Sequence, residues 1–137
     1  MHYKYKAEFD LSIWLFNKNI DASIVAEIMG ILRGAELKQS ASKWFLDLSL
    51  VERIDIDFDK IAGFARFDKG LLDPEVAVQA AALVSTPLAF GVVRMYQALM
   101  SDANLDLCVF YHRSECANFL GVPMRTLVTT EASEQTA

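Results

Sequence analysis

Asp55, Asp57 and Asp59 alternate with other residues in one short stretch. Carboxylates spaced in this way can share a hard cation such as Ca²⁺ or Mg²⁺ through their oxygens. A calcium loop counted from Asp55 needs Gly at its sixth place and Glu at its twelfth, and the chain has Lys60 and Arg66 there. The plainer reading is the start of a helix, where acidic side chains are favourable beside unpaired N–H groups. His112 and Cys116 stand four apart, the spacing of one helical face. Two ligands do not make a zinc site, and no second pair is present in the sequence. A Cys–His nucleophile pair would need an orienting group, and Glu115 lies off that face. Ser114, read as a helix cap, would also break the helix between His112 and Cys116, so Cys116 reads as a small core residue. Thr86-Pro87 places free backbone N–H groups after a strand, where an anion or polar headgroup could sit, although an ordinary helix cap is the favoured reading of the pair. Arg94 could meet an acidic group of a ligand or partner, or pair on the helix surface. No nucleophile–base–orienter set, metal cluster or cofactor loop emerges, so no cofactor is expected, and a non-catalytic role is favoured over an enzyme, which stays open because sites assemble from distant residues.

Composition narrows the choice of partners. The chain has 137 residues with Lys+Arg 13 and Asp+Glu 18, a formal net charge of −5. An acidic surface repels phosphates, so no nucleic acid is expected. Hydrophobic residues make up 53%, which argues for a packed domain rather than disorder. Two cysteines are too few for a disulfide framework, and no secretory leader is visible. Together these point to the cytoplasm. The run from Val76 to Val93 carries no charge and is barely long enough to cross a bilayer. Ser85-Thr86-Pro87 interrupts it, so it reads as strand, turn and helix, and no membrane span is expected.

The elements that would position these residues follow from period and punctuation. Residues 3–9 alternate and residues 11–16 are apolar, which suggests an opening hairpin around Asp10. Asp21 caps a helix with an Ile24–Val25–Ile28–Ile31–Leu32 stripe that Gly34 can end. Residues 43–50 read as a buried strand. A second helix starts near Asp57 or Asp59, with Phe58, Ile61, Ala62 and Ala65 on one face and Lys69-Gly70 at its end. That assignment leaves Phe64 and Phe67 projecting outward, as exposed rings at an interface would. Residues 76–84 form a strand apolar on both faces, and Thr86 caps a third helix. Residues 105–111 form another strand, and Ser114 caps a last helix closed by Gly121. The order predicts an α/β domain over 1–123: a mixed sheet with an N-terminal hairpin, then repeated strand–helix units. Residues 124–137 are expected to be a polar, frayed tail.

This order resembles the STAS domain, the fold of SpoIIAA-like bacterial proteins. In that family a strand ends in Asp-Leu-Ser, and an apolar residue with Asp-Ser-Ser-Gly then opens a helix. Here Asp47-Leu48-Ser49 is followed by Ile54-Asp55-Ile56-Asp57-Phe58. Asp47, Leu48, Ser49 and Asp55 match, whereas Ile56, Asp57 and Phe58 stand in place of Ser, Ser and Gly. Asp57 occupies the family's phosphorylation position, and a carboxylate there is a fixed charge that cannot be switched by phosphate. The stretch from Pro87 to Tyr96 also looks like uncharacterised SpoIIAA-like proteins.

The resemblance implies a non-catalytic interaction or regulatory module that binds a protein partner or itself as a homodimer. Asp55, Asp57, Asp59, Phe64 and Phe67 would form its surface. The alternative rests on the many large rings, which could line a cavity for a small apolar or lipid-like ligand. That pocket would lie near the start of the third helix, with Thr86, Phe90 and Arg94.

Overall fold

The structure, a computed structural model, describes residues 1–34 and 41–128. Strand β1 (His2–Lys6) pairs antiparallel with β2 (Leu11–Leu15). A 3₁₀ turn over Ala7–Phe9 joins them and ends at Asp10, whose φ of 50° and ψ of 51° are left-handed. Asp tolerates that region better than most residues because its short side chain bonds locally. Here the carboxylate accepts from Tyr5 Oη at 2.7 Å and from the Ser42 backbone N–H at 3.0 Å, which ties the hairpin to the next sheet strand.

Strand β3 (Ile20–Asp21) leads into helix α1 (Ala22–Gly34), where Asp21 Oδ1 accepts from the Ile24 N–H at 3.0 Å as the sequence predicts. Strand β4 (Lys43–Leu48) follows, then β5 (Ile54–Asp55), which pairs in parallel with β3 in a separate ribbon. Helix α2 (Phe58–Leu71), strand β6 (Val78–Val84) and helix α3 (Pro87–Leu99) come next. Strand β7 (Leu105–Phe110) and helix α4 (Arg113–Leu120) complete the elements, with a 3₁₀ segment over Met124–Leu127. The main sheet runs in the order β1-β2-β4-β6-β7, and every pair after the first is parallel. The result is an α/β fold with a five-stranded mixed sheet and, among the described residues, four α-helices.

Alternate side chains on each strand divide the core between the two faces of the sheet. Trp14, Leu48, Ala80, Ala82 and Leu107 pack with residues of α1 and α3, while Phe64, Phe67 and Leu71 of α2 close over the same cluster. On the other face Leu11, Ile13, Phe45, Ala81 and Leu83 meet Cys116, Ala117 and Leu120 of α4. Helices on both faces explain why β2 and β6 are buried along nearly their whole length, with Ser12 and Gln79 the polar residues in otherwise apolar strands.

The structure corrects the sequence reading in several places. Lys69 does stand in the last turn of α2, but Gly70 is not left-handed; the helix ends at the extended Leu72. Helix α4 is capped by the backbone at His112, so Ser114 lies inside its first turn. The packed region also runs past residue 123. Thr126 is buried and Leu127 is fully enclosed, because the 3₁₀ turn folds back against α4. The tail expected from residue 124 is therefore core as far as Leu127. Residues 129–137 lie outside the described residues, as do residues 35–40 of the expected polar loop. The uncharged run from 76 to 93 divides into β6 and α3, and no helix among the described residues is long and apolar enough to cross a membrane.

Gly121 closes α4 at φ +68°, as predicted. A Cβ there would meet only Lys43 Nζ at 3.9 Å, so the cost of a side chain is conformational rather than steric. Gly121→Ala is expected to lower stability by about 1 kcal/mol, measured by urea denaturation. An unchanged midpoint would show that the helix end adjusts freely.

Candidate functional site

Between the sheet and α1, α2 and α3 lies a cavity of about 160 Å³. The sheet contributes Ser12, Trp14, Trp44 and Leu46, and α1 contributes Val25, Ile28 and Leu32. The roof is α2, through Ile61, Phe64, Asp68 and Leu71. These positions recur at the three- and four-residue spacing of one helical face. Helix α3 adds Val92, Val93 and Tyr96.

Four polar side chains interrupt this hydrocarbon wall. Tyr96 Oη donates to Asp68 Oδ2 across α2 and α3, and Asp68 is itself buried. Burial, followed by the neighbouring Asp68 charge, raises the Tyr96 phenol well above its ordinary value, so it remains a donor. Ser12 Oγ and Trp44 Nε1 have no hydrogen-bond partner among the described residues, and both are inaccessible to water. Ser12 and Trp44 are paired positions on adjacent strands.

All four polar groups lie at one end of the cavity. Ser12 and Trp44 are near the starts of β2 and β4, while Asp68 and Tyr96 are in the later turns of α2 and α3. Crossover helices run antiparallel to the strands they connect, so those helix ends lie over the strand starts. Gln97 Nε2, next to Tyr96, donates to the Leu107 carbonyl near the start of β7 at 2.5 Å, in keeping with that arrangement. The opposite end, formed by Phe16, Ile20, Leu48 and Ile56, is apolar.

Of the large rings that the sequence offers for a cavity, Trp14, Phe16, Trp44 and Phe64 line it, whereas the residues assigned to the pocket at the start of the third helix fall elsewhere. Thr86 is a cap, its Oγ1 accepting from the Ala89 N–H at 3.1 Å. Phe90 stacks on Tyr111 with centroids 5.2 Å apart and planes 2° apart. Arg94 is exposed on the outer side of α3. None of the three lines the cavity, which meets α3 through Val92, Val93 and Tyr96 instead of at its N-terminus.

Asp55, Asp57 and Asp59 are exposed, and Asp57 Oδ1 caps α2 by accepting from the Lys60 N–H at 2.9 Å. Phe64 and Phe67 do not join them on a surface. Both pack against the core, and Phe64 reaches the cavity wall and the Tyr96 ring, 5.9 Å away. Phe58, assigned to the buried face, is 54% exposed. The inward stripe of α2 is thus Ile61–Phe64–Ala65–Asp68, rotated from the Phe58–Ile61–Ala62–Ala65 face.

Among the described residues no group of three or more His, Cys, Asp or Glu side chains could hold a metal. His112 is exposed at the cap of α4 while Cys116 is buried within it. Burial pushes the Cys116 thiol up to about 12, and the Cys108 thiol is raised by burial and then by Asp106. A thiol must lose its proton to act as a nucleophile. Iodoacetamide at pH 8 is therefore expected to leave Cys116 unmodified in the native protein and to label it once the chain is unfolded. Fast native labelling, read by peptide mass spectrometry, would contradict this.

Comparisons with family models, with curated proteins and with solved structures give no match to this chain.

Proposed function

We propose that the protein binds a small apolar molecule in the cavity between the sheet and helices α1–α3. The cavity itself carries the reading. Protein interiors pack about as densely as organic crystals, and large voids are few. A hydrocarbon-lined space of about 160 Å³ between a sheet and three helices is therefore a place that an apolar occupant would fill. An apolar cavity of about 150 Å³ is enough to take up benzene, so the occupant would be a single ring or a short aliphatic segment. The residues that would hold it are Trp14, Ile28, Trp44, Leu46, Phe64 and Val93.

A SpoIIAA-like (STAS) assignment is proposed with it, supported by the element order and by the Asp47-Leu48-Ser49 turn. In that turn Asp47 Oδ1 accepts from Ser49 N at 3.0 Å and from Ser49 Oγ at 2.6 Å. The free thiols suit a reducing compartment such as the cytoplasm.

The interaction-module reading is favoured by a different observation. Leu50, Phe58 and Leu88 are each 54% exposed, and all three follow the C-terminal ends of β4, β5 and β6. Ser85 Oγ donates to the Ser49 carbonyl at 2.8 Å, joining two of the loops at this end. A protein partner or second copy would dock there, beside Asp55, Asp57 and Asp59.

Native mass spectrometry of freshly purified protein, followed by denaturation, separates the two readings. Ligand binding predicts a protomer carrying a releasable neutral compound about the size of one ring. A clean dimer without added mass would favour the interaction module.

A further inference from the structure

We infer that the occupant is a single-chain amphiphile: an unbranched hydrocarbon chain lies along the strands inside the cavity, and its polar end stays outside, at Ile56. The inference deepens the ligand-binding reading and rests on it. The lining residues set the shape. On β2 they run from Ser12 to Phe16 and on β4 from Trp44 to Leu48, a length of about 13 Å at the rise of a strand. The roof matches it, since Ile61 to Leu71 of α2 covers about 15 Å. Across the main sheet the wall is only two strands wide, about 4.8 Å from axis to axis, because no described residue of β6 or β7 lines it. A round space of about 160 Å³ would be only about 7 Å across, half the length that the strands line. The cavity is therefore a channel along the strands. A single ring would fill one part of it and leave the rest empty, whereas a straight chain can occupy its length.

The two ends of the channel set the direction of the chain. At the strand starts, Ser12 Oγ and Trp44 Nε1 are out of a ligand's reach, and the buried Asp68 is engaged by Tyr96 Oη. That end suits a terminal methyl. At the other end Ile56 is half-buried and borders two spaces. Inside is the apolar channel. Outside is a surface hollow lined by Ala22, Asp55, Asp57 and Lys60, all four exposed. The hydrocarbon wall thus gives way to water and polar side chains at Ile56. A polar head buried without partners would lose its hydration, whereas each CH₂ gains by leaving water. An amphiphile therefore enters tail first and keeps its head in the hollow.

Straight-chain primary alcohols from butanol to dodecanol test this, with benzene as the reference. Each is titrated into methyl-labelled native protein and followed by NMR. Affinity is expected to rise about fourfold with each added CH₂ and to level off between hexanol and decanol, where the chain fills the lined length. At saturation with octanol, nuclear Overhauser effects should link the carbon bearing the hydroxyl to Ile56 and the terminal methyl to Trp44 and Tyr96. Ile56→Trp, which narrows the mouth, should weaken octanol about tenfold. If benzene binds but affinity is flat from butanol to hexanol, the chain assignment is overturned and the cavity reading stands. A gain that continues undiminished to dodecanol would place the chain on open surface and overturn it too. Octanol bound with its hydroxyl end at Trp44, or unaffected by Ile56→Trp, would overturn the mouth at Ile56. If neither benzene nor any alcohol binds, both the chain assignment and the cavity reading fall.

Discussion

Arg113→Ala is expected to destabilise the protein by about 2–3 kcal/mol, less than for a fully buried pair because the Arg113 side chain is 29% exposed while Asp47 is enclosed. Asp47 is 1% exposed, in the middle of the sheet, on the face covered by α4. Arg113 Nη1 lies 3.2 Å from Asp47 Oδ2 and also donates to the Leu127 carbonyl. Its guanidinium sits over the Phe45 ring, 5.8 Å from the centroid. One side chain thus balances the Asp47 charge and fastens the C-terminal 3₁₀ turn onto α4. Removing it leaves a buried carboxylate without this cation and releases that turn. The melting temperature should fall by on the order of ten degrees, measured by calorimetry. Replacing both partners, as Asp47→Asn with Arg113→Met, should recover part of the loss, since no charge then remains buried. A single-mutant loss below about 1 kcal/mol would show that water reaches Asp47 and that the pair behaves like a surface one.

Val93→Phe is expected to move stability and binding in opposite directions. Val93 is 7% exposed and lines the cavity from α3. A phenyl ring there would occupy space that is otherwise empty, burying apolar surface and gaining about 1–2 kcal/mol. The same ring would exclude a ligand of benzene size, so uptake should fall at least tenfold. Destabilisation by about 1–3 kcal/mol, the mark of overpacking, would mean that the cavity collapses or is filled by neighbouring side chains in solution.

Most of the fold was legible because local signals agreed. The hairpin turn at Asp10, the caps at Asp21, Asp57 and Thr86, and the left-handed stop at Gly121 each rest on side chains acting within a few residues. The ring content that lines the cavity was legible, but its place beneath α2 was not, and α2 shows why. Its inward stripe contains Asp68, a charged residue at a core position, and this breaks the apolar pattern that would have revealed the face. The group that makes Asp68 tolerable there, Tyr96, is 28 positions away on another helix. Without Asp68 in the stripe, the face slips to Phe58, and Phe64 and Phe67 are turned outward. A second signal was available in retrospect: Ile61, Phe64, Ala65 and Asp68 keep helical spacing once a polar residue is admitted. Ser12 and Trp44 gave no local sign of their situation. Their missing partners became visible only when β2 and β4 were brought side by side. The packing of Leu127 was hidden in the same way, by a contact with α4 that the polar residues around it do not announce.

If the space beneath α2 accepts a ligand, benzene is the simplest probe of it. Titration of methyl-labelled protein, with intermolecular nuclear Overhauser effects recorded at saturation, reads the position of the ring directly. The account predicts contacts from benzene to Ile28 of α1, Leu46 of the sheet and Val93 of α3 at once, since only the cavity borders all three. Contacts confined to Leu50, Phe58 and Leu88, or no saturable contacts, would contradict it and leave the exposed strand-end face as the working surface of the molecule.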